Sequence, residues 1–195
     1  MTDKENEKAY QRLFIAIRPD DDVVKSLRRV CGNLKKDKAF ENVRWMRPEN
    51  LHVTLAFLGR QSADDVEQIV AAMAEVSAGH TSFDMEISGL TSVRNSWHKG
   101  VIIARVLENE SLMTLQRDLV EVLSGRGIEG LDNRKYMPHV TLARLKTEKI
   151  SQDRLSAVGF SLRQQVTTME LYESVTLQSG AVYTMLNSVH LGRKD

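Results

Sequence analysis

Two near-identical apolar strands constrain the fold of this 195-residue chain more than any other feature: LHVTLAFL at 51–58 and PHVTLARL at 138–145. Each closes a longer repeat. The segment Leu13–Leu58 opens on the apolar run LFIAI, continues through an amphipathic helix and a polar connection, and ends in the first motif. The segment Val101–Leu145 opens on VIIAR and follows the same order. Val101 and Leu13 lie 88 positions apart and the two histidines 87, so one gap aligns the copies. Two copies are too few for a solenoid, which needs at least three. They predict an α+β fold spanning 1–195 as one bilobal domain. Its two pseudo-symmetric lobes each carry a mainly antiparallel sheet with helices outside, and a cleft lies between them.

The remaining pattern fits that frame. Val23, Val24, Leu27, Val30, Cys31 and Leu34 recur at helical spacing over 21–36, with acidic residues before and lysines after. Ser62 and Asn109 read as N-caps of two further helices. Val43–Met46 reads as a short strand, and Gly59 as the end of the 51–58 strand. Phe83–Leu90 alternates as a strand, and Ser151–Val158 forms a short helix. Residues 125–138, rich in glycine, read as a mobile surface loop. Val166–Leu177 and Val182–Leu191 read as strands of a hairpin turning at 178–180.

Composition narrows the classes further. Lys and Arg total 27 against 26 for Asp and Glu, so any affinity for nucleic acid must come from a local patch. A single cysteine, Cys31, excludes an intrachain disulfide and a four-thiolate zinc site; its place on a helix's apolar side predicts a buried, inert thiol. The first ten residues lack the apolar core of a signal peptide, and no run reaches the ~18 apolar residues of a membrane span. A cytoplasmic protein without membrane contact is expected, and a monomer is the default.

The motifs carry the chemistry. Strand side chains alternate faces, so His52 and Thr54 share one face, as do His139 and Thr141. Lobes related by a twofold axis would bring two imidazoles and two hydroxyls to one cleft. A neutral imidazole can take a proton from water while its protonated twin supplies a leaving oxygen. Threonine hydroxyls can hold non-bridging phosphate oxygens. This chemistry needs no metal or other cofactor. Arg144 stands five residues after His139, where Phe57 stands in the first copy. An odd spacing puts Arg144 on the opposite face unless a bulge or the strand end re-aims it; on the cleft face it would clamp phosphate.

RLFIAI near the start, RWMRPENLHVTLAFLG over 44–59 and YMPHVTLARL over 136–145 resemble the two-histidine phosphoesterases, and among them the LigT-like RNA 2′,3′-cyclic phosphodiesterases once described as 2′-5′ RNA ligases. The similarity in element order covers roughly the whole chain. The resemblance implies a bilobal α+β fold and hydrolysis of RNA 2′,3′-cyclic phosphate ends to 2′-phosphates, with reversible 2′-5′ joining in some members. It implies His52 as proton donor, His139 as proton acceptor, and Thr54, Thr141 and Arg144 as phosphate ligands. The symmetric sequence alone does not separate acid from base. RNA with a cyclic phosphate end, tRNA fragments included, is the expected partner, and nucleotides are expected in the cleft.

Other readings stand beside this one. The same fold suits a 2′,5′-oligoadenylate or small cyclic-nucleotide phosphodiesterase, or a non-catalytic RNA- or nucleotide-binding module. A metal site finds little support: His80, His98 and His190 lie in loop-like or terminal contexts, and no carboxylate sits inside either motif. Trp45, Arg47 and Tyr136 flank the motifs as candidate RNA contacts, with core packing or solvation as the plainer reading. Arg94, Trp97, His98 and Lys99 fall in an inter-strand connection.

Overall fold

The computed structural model describes residues 10–94, 100–132, 134–145, 150–178 and 180–193. Its elements are β1 (Gln11–Ile17), α1 (Asp21–Leu34), β2 (Val43–Trp45), β3 (Val53–Gln61), α2 (Ala63–Ala78), β4 (Phe83–Arg94), β5 (Gly100–Val106), α3 (Glu110–Gly125), β6 (His139–Leu145), α4 (Gln152–Ser156), β7 (Ser161–Val166), β8 (Thr168–Leu177) and β9 (Gly180–His190). The helix starts follow their caps. Asp20 accepts from the Val23 N–H, and Asn109 from the Leu112 N–H. Ser62 and Asp65 form a reciprocal capping box.

The strands form one sheet of this α+β fold in the order β7-β4-β5-β6-β3-β1-β8-β9, with β2 added to β6; every named strand pair is antiparallel. The order is symmetric about the β6–β3 pair, so the repeats supply matching central strands. The repeats meet where β3 pairs with β6 at Val53↔Val140 and where β2 of the first repeat pairs with β6 of the second. One face of the sheet carries the core: Leu13, Ile15, Leu55, Leu58, Ile102, Val140 and Leu142 pack with Leu27, Ile69, Met73, Leu112, Leu115 and Leu119 of the helices. The sheet curls. Although β9 lies at its edge, the Ala181 carbonyl accepts a 2.8 Å hydrogen bond from the Asn50 side chain, beside the start of β3.

Several details depart from expectation, each for a physical reason. The cross-strand pairs Phe14↔Phe57, Ile15↔Ala56, Ala16↔Thr54 and Ile17↔Val53 match Val101↔Arg144, Ile102↔Ala143, Ile103↔Thr141 and Ala104↔Val140. The offset is therefore 87 throughout, and these repeat strands need no gap. β3 does not stop at Gly59; that residue adopts φ 70° and the ladder runs on to Gln61. β7 is a strand the periodicity misses, because SLRQQV pairs along β4 with alternation too polar to stand out. The 126–138 connection is anchored to β3: Ile128 is buried and the Gln61 amide donates to the Glu129 carbonyl at 3.0 Å. Trp97, His98, Lys99 and the Arg94 side chain lie outside the described residues.

Candidate active site

β3 and β6 share an irregularity that shapes the site. In β3 the register slips at Leu55, between the Ala16↔Thr54 and Ile15↔Ala56 pairs; in β6 it slips at Leu142, between Ile103↔Thr141 and Ile102↔Ala143. Each slip is a β-bulge, which adds one residue and reverses the facing of the rest of the strand. Leu55 with Ala56, and Leu142 with Ala143, consequently all belong to the core. Phe57 and Arg144 then emerge on the face of His52 and His139, although five positions separate each from its histidine. The bulge supplies the re-aiming that ideal alternation denies Arg144.

At the seam, antiparallel pairing about Val53↔Val140 sets His52 across from Thr141 and Thr54 across from His139. All four side chains are half-buried. The imidazoles are fixed alike: His52 Nδ1 lies 2.8 Å from the Asn50 carbonyl oxygen and His139 Nδ1 2.7 Å from that of Met137. A carbonyl only accepts, so each Nδ1 carries the proton and each neutral ring keeps its lone pair on Nε2. Both rings therefore turn the same reactive nitrogen away from their backbone anchors.

Their surroundings differ. The His52 ring lies 4.8 Å from the Phe14 ring and meets the Tyr183 ring edge-on at 5.4 Å. Phe14 also stacks on Tyr172 at 5.3 Å and approaches Phe57 at 6.3 Å. Burial in this aromatic box pushes the His52 pKa down to about 4; the bond to the Asn50 carbonyl opposes the shift, while the charges of His139 and Arg144 add to it. That coupling also places His139 and Arg144 within electrostatic range of His52. Phe57 presents 48% of its surface to solvent, a large apolar face beside the histidines.

The flanking candidates separate. Trp45 pairs with Ala143, a core residue, and its ring packs 6.3 Å from Phe40 with the Lys35 ammonium 5.6 Å away, on the sheet face opposite the histidines. Arg44, by contrast, pairs with Arg144 and shares its face. Arg47 is exposed at the start of a 3₁₀ turn, Pro48–Asn50. Tyr136 packs against the core, where burial raises its hydroxyl pKa. Cys31 is half-buried, and burial raises its thiol to about 11, which leaves it unreactive at neutral pH. Sequence reasoning missed Phe14, Tyr172, Tyr183 and Arg44. The tyrosines lie in the β8–β9 hairpin, outside the repeat, and the facing of Arg44 depends on a cross-strand register.

Comparison with known proteins adds a second line of support. Residues 17–103, which include the first motif, match the LigT like phosphoesterase family. Proteins named RNA 2′,3′-cyclic phosphodiesterase from Aquifex aeolicus (24% identical over 86% of this chain and 93% of that one) and Thermotoga maritima (27% over 90% and 92%) align along nearly the whole length. The fold matches a crystal structure from Thermus thermophilus (TM-score 0.78, 24% identity, 94% and 100% coverage). It also matches E. coli LigT, both apo (TM-score 0.72, 22% identity, 94% and 99%) and complexed with 3′-AMP (0.71, 21%, 93% and 98%). Family match, relatives and fold all point one way: this chain is similar to the LigT-like phosphoesterases along nearly its whole length.

Proposed function

We propose that this protein is a metal-independent RNA 2′,3′-cyclic phosphodiesterase whose two histidines divide the proton transfers. The observation that carries this reading is the twin anchoring of His52 and His139. Each Nδ1 is committed to a backbone carbonyl, and two Nε2 atoms serve one seam between paired threonines. His139 Nε2 takes a proton from water, whose oxygen attacks phosphorus. The bond from phosphorus to the 3′-oxygen breaks, His52 gives that oxygen its proton, and the phosphate remains on the 2′-oxygen. Thr54, Thr141 and Arg144 hold the non-bridging oxygens. A 5′-hydroxyl in place of water gives 2′-5′ joining by the same steps.

The depressed pKa of His52 fits the donor role once substrate is counted. Without substrate charge beside it the ring is neutral at pH 7. A cyclic phosphate brings a negative charge beside it, which favours the imidazolium. The donor is thus charged by the substrate it serves. With each Nδ1 occupied by a carbonyl, neither motif offers the several convergent ligands a metal requires.

Phe57 and Tyr183, packed around the buried Phe14, offer the terminal nucleoside a stacking surface, which also admits a second reading, a small-nucleotide phosphodiesterase. The relative crystallised with 3′-AMP is consistent with either. The protein acts as a monomer on RNA ends, tRNA fragments among them. The test is conversion of a short RNA ending in 2′,3′-cyclic phosphate in excess EDTA. Accumulation of a 2′-phosphate supports the proposal. Turnover restored only by added metal, or confined to cyclic mononucleotides, contradicts it.

A further inference from the structure

Arg18 and Arg105 occupy equivalent places in the two repeats, each following the residue that pairs with the first valine of a motif. Their surroundings differ. Arg18 Nη2 lies 3.5 Å from Asp21 Oδ1, and its backbone N–H donates to the buried Glu170 carboxyl at 3.3 Å. Among the described residues no ion pair involves Arg105. Arg105 stands directly across from His139 on the adjacent strand. Opposed residues of an antiparallel pair share a face, with Cβ atoms about 5 Å apart. Its guanidinium lies over β4 at Gly89, where φ is 73° and an added Cβ would come 3.0 Å from Arg105 Nη2. Glycine there, at a break in the β4–β5 register, lets the guanidinium lie close to the strand.

The two walls beside the histidines thus have opposite character. The His52 side is aromatic. The His139 side presents an exposed guanidinium, seated against backbone and, among the described residues, without a carboxylate partner. That arrangement suits an anion a short distance beyond the one the histidines act on. Arg144 already serves the reaction centre through its proximity to His52, whereas Arg105 lies across from His139 on the neighbouring strand β5.

We propose that Arg105 binds the phosphodiester one nucleotide 5′ of the cyclic phosphate, so that the enzyme favours RNA ends over cyclic mononucleotides. This deepens the reading given under Proposed function and rests on it. The test uses three substrates: adenosine 2′,3′-cyclic phosphate, the dinucleotide ApA with a 2′,3′-cyclic end, and that dinucleotide with a neutral methylphosphonate linkage. Arg105→Ala is expected to lower kcat/KM on the charged dinucleotide about tenfold, mainly through KM. It should leave the other two substrates unchanged, and Arg105→Lys should recover part of the loss. Equal loss on all three substrates, the mark of a structural role, overturns the proposal, and so does no loss on any. Absence of wild-type turnover on every substrate defeats the functional reading separately. Fluorescence anisotropy with a labelled ApA carrying a 3′-phosphate then decides Arg105: weaker binding by Arg105→Ala supports the site, and an unchanged Kd overturns it.

Discussion

At the scale of single residues, His52 links burial and protonation to the catalysis proposed for it. Its pKa of about 4 in the folded chain lies below the ordinary 6.5 of an exposed imidazole. The unfolded chain therefore binds more protons between these values. This contribution to stability is complete above pH ~6.5 and is lost as pH falls towards ~4, about 3 kcal/mol in all. Urea titrations over that range should show wild type losing this increment while His52→Asn does not; parallel curves would contradict it. An NMR titration of the free protein should place the His52 midpoint well below the ordinary 6.5, and phosphate binding should raise it. The motif histidines and threonines were legible because they recur in duplicated surroundings. The aromatic box was not, since its tyrosines arrive from a hairpin more than a hundred residues away in sequence.

At the scale of elements, the paired bulges decide which residues reach the site. The pattern was present in the sequence: Val, Leu, Ala and Leu occupy 53, 55, 56 and 58, and again 140, 142, 143 and 145. Two successive apolar residues break the alternation at the same point in both copies, and that break is the sequence trace of a bulge. Arg144→Ala should reduce kcat/KM by about ten- to a hundredfold, the loss of a charged hydrogen-bonding clamp, while leaving the melting temperature nearly unchanged. A large fall in melting temperature would mean that Arg144 supports the strand instead. Gly59 separates backbone from contact effects: φ is 70° and an added Cβ would meet nothing within 4 Å. Gly59→Ala should therefore cost about 1–2 kcal/mol of stability through backbone strain alone, read by chemical denaturation, with kcat unaltered. Helix starts were the most legible elements because Asp20, Ser62 and Asn109 cap them locally. β7 was the least, because a polar strand takes its identity from its partner β4.

At the scale of the whole molecule, a symmetric frame carries an asymmetric site. Matching strands from the two repeats bring identical His and Thr pairs to one seam, while the flanking strands supply aromatic rings on one side and arginine on the other. The helices α2 and α3 pack together over that seam, and the core runs without interruption through both halves. The halves are therefore expected to unfold together. Far- and near-ultraviolet circular dichroism should give one coincident melting transition, and Leu119→Ala, in the buried α3 face, should lower it as a unit, costing about 2–5 kcal/mol. Two separated transitions would show instead that each lobe stands alone. The most direct measurement of paired-histidine catalysis is hydrolysis of RNA 2′,3′-cyclic phosphate in EDTA by wild type, His52→Ala and His139→Ala, with folding checked by circular dichroism. Each variant should lose about 10²–10⁴-fold in kcat while remaining folded; a well-folded variant that keeps wild-type turnover would contradict the two-histidine mechanism.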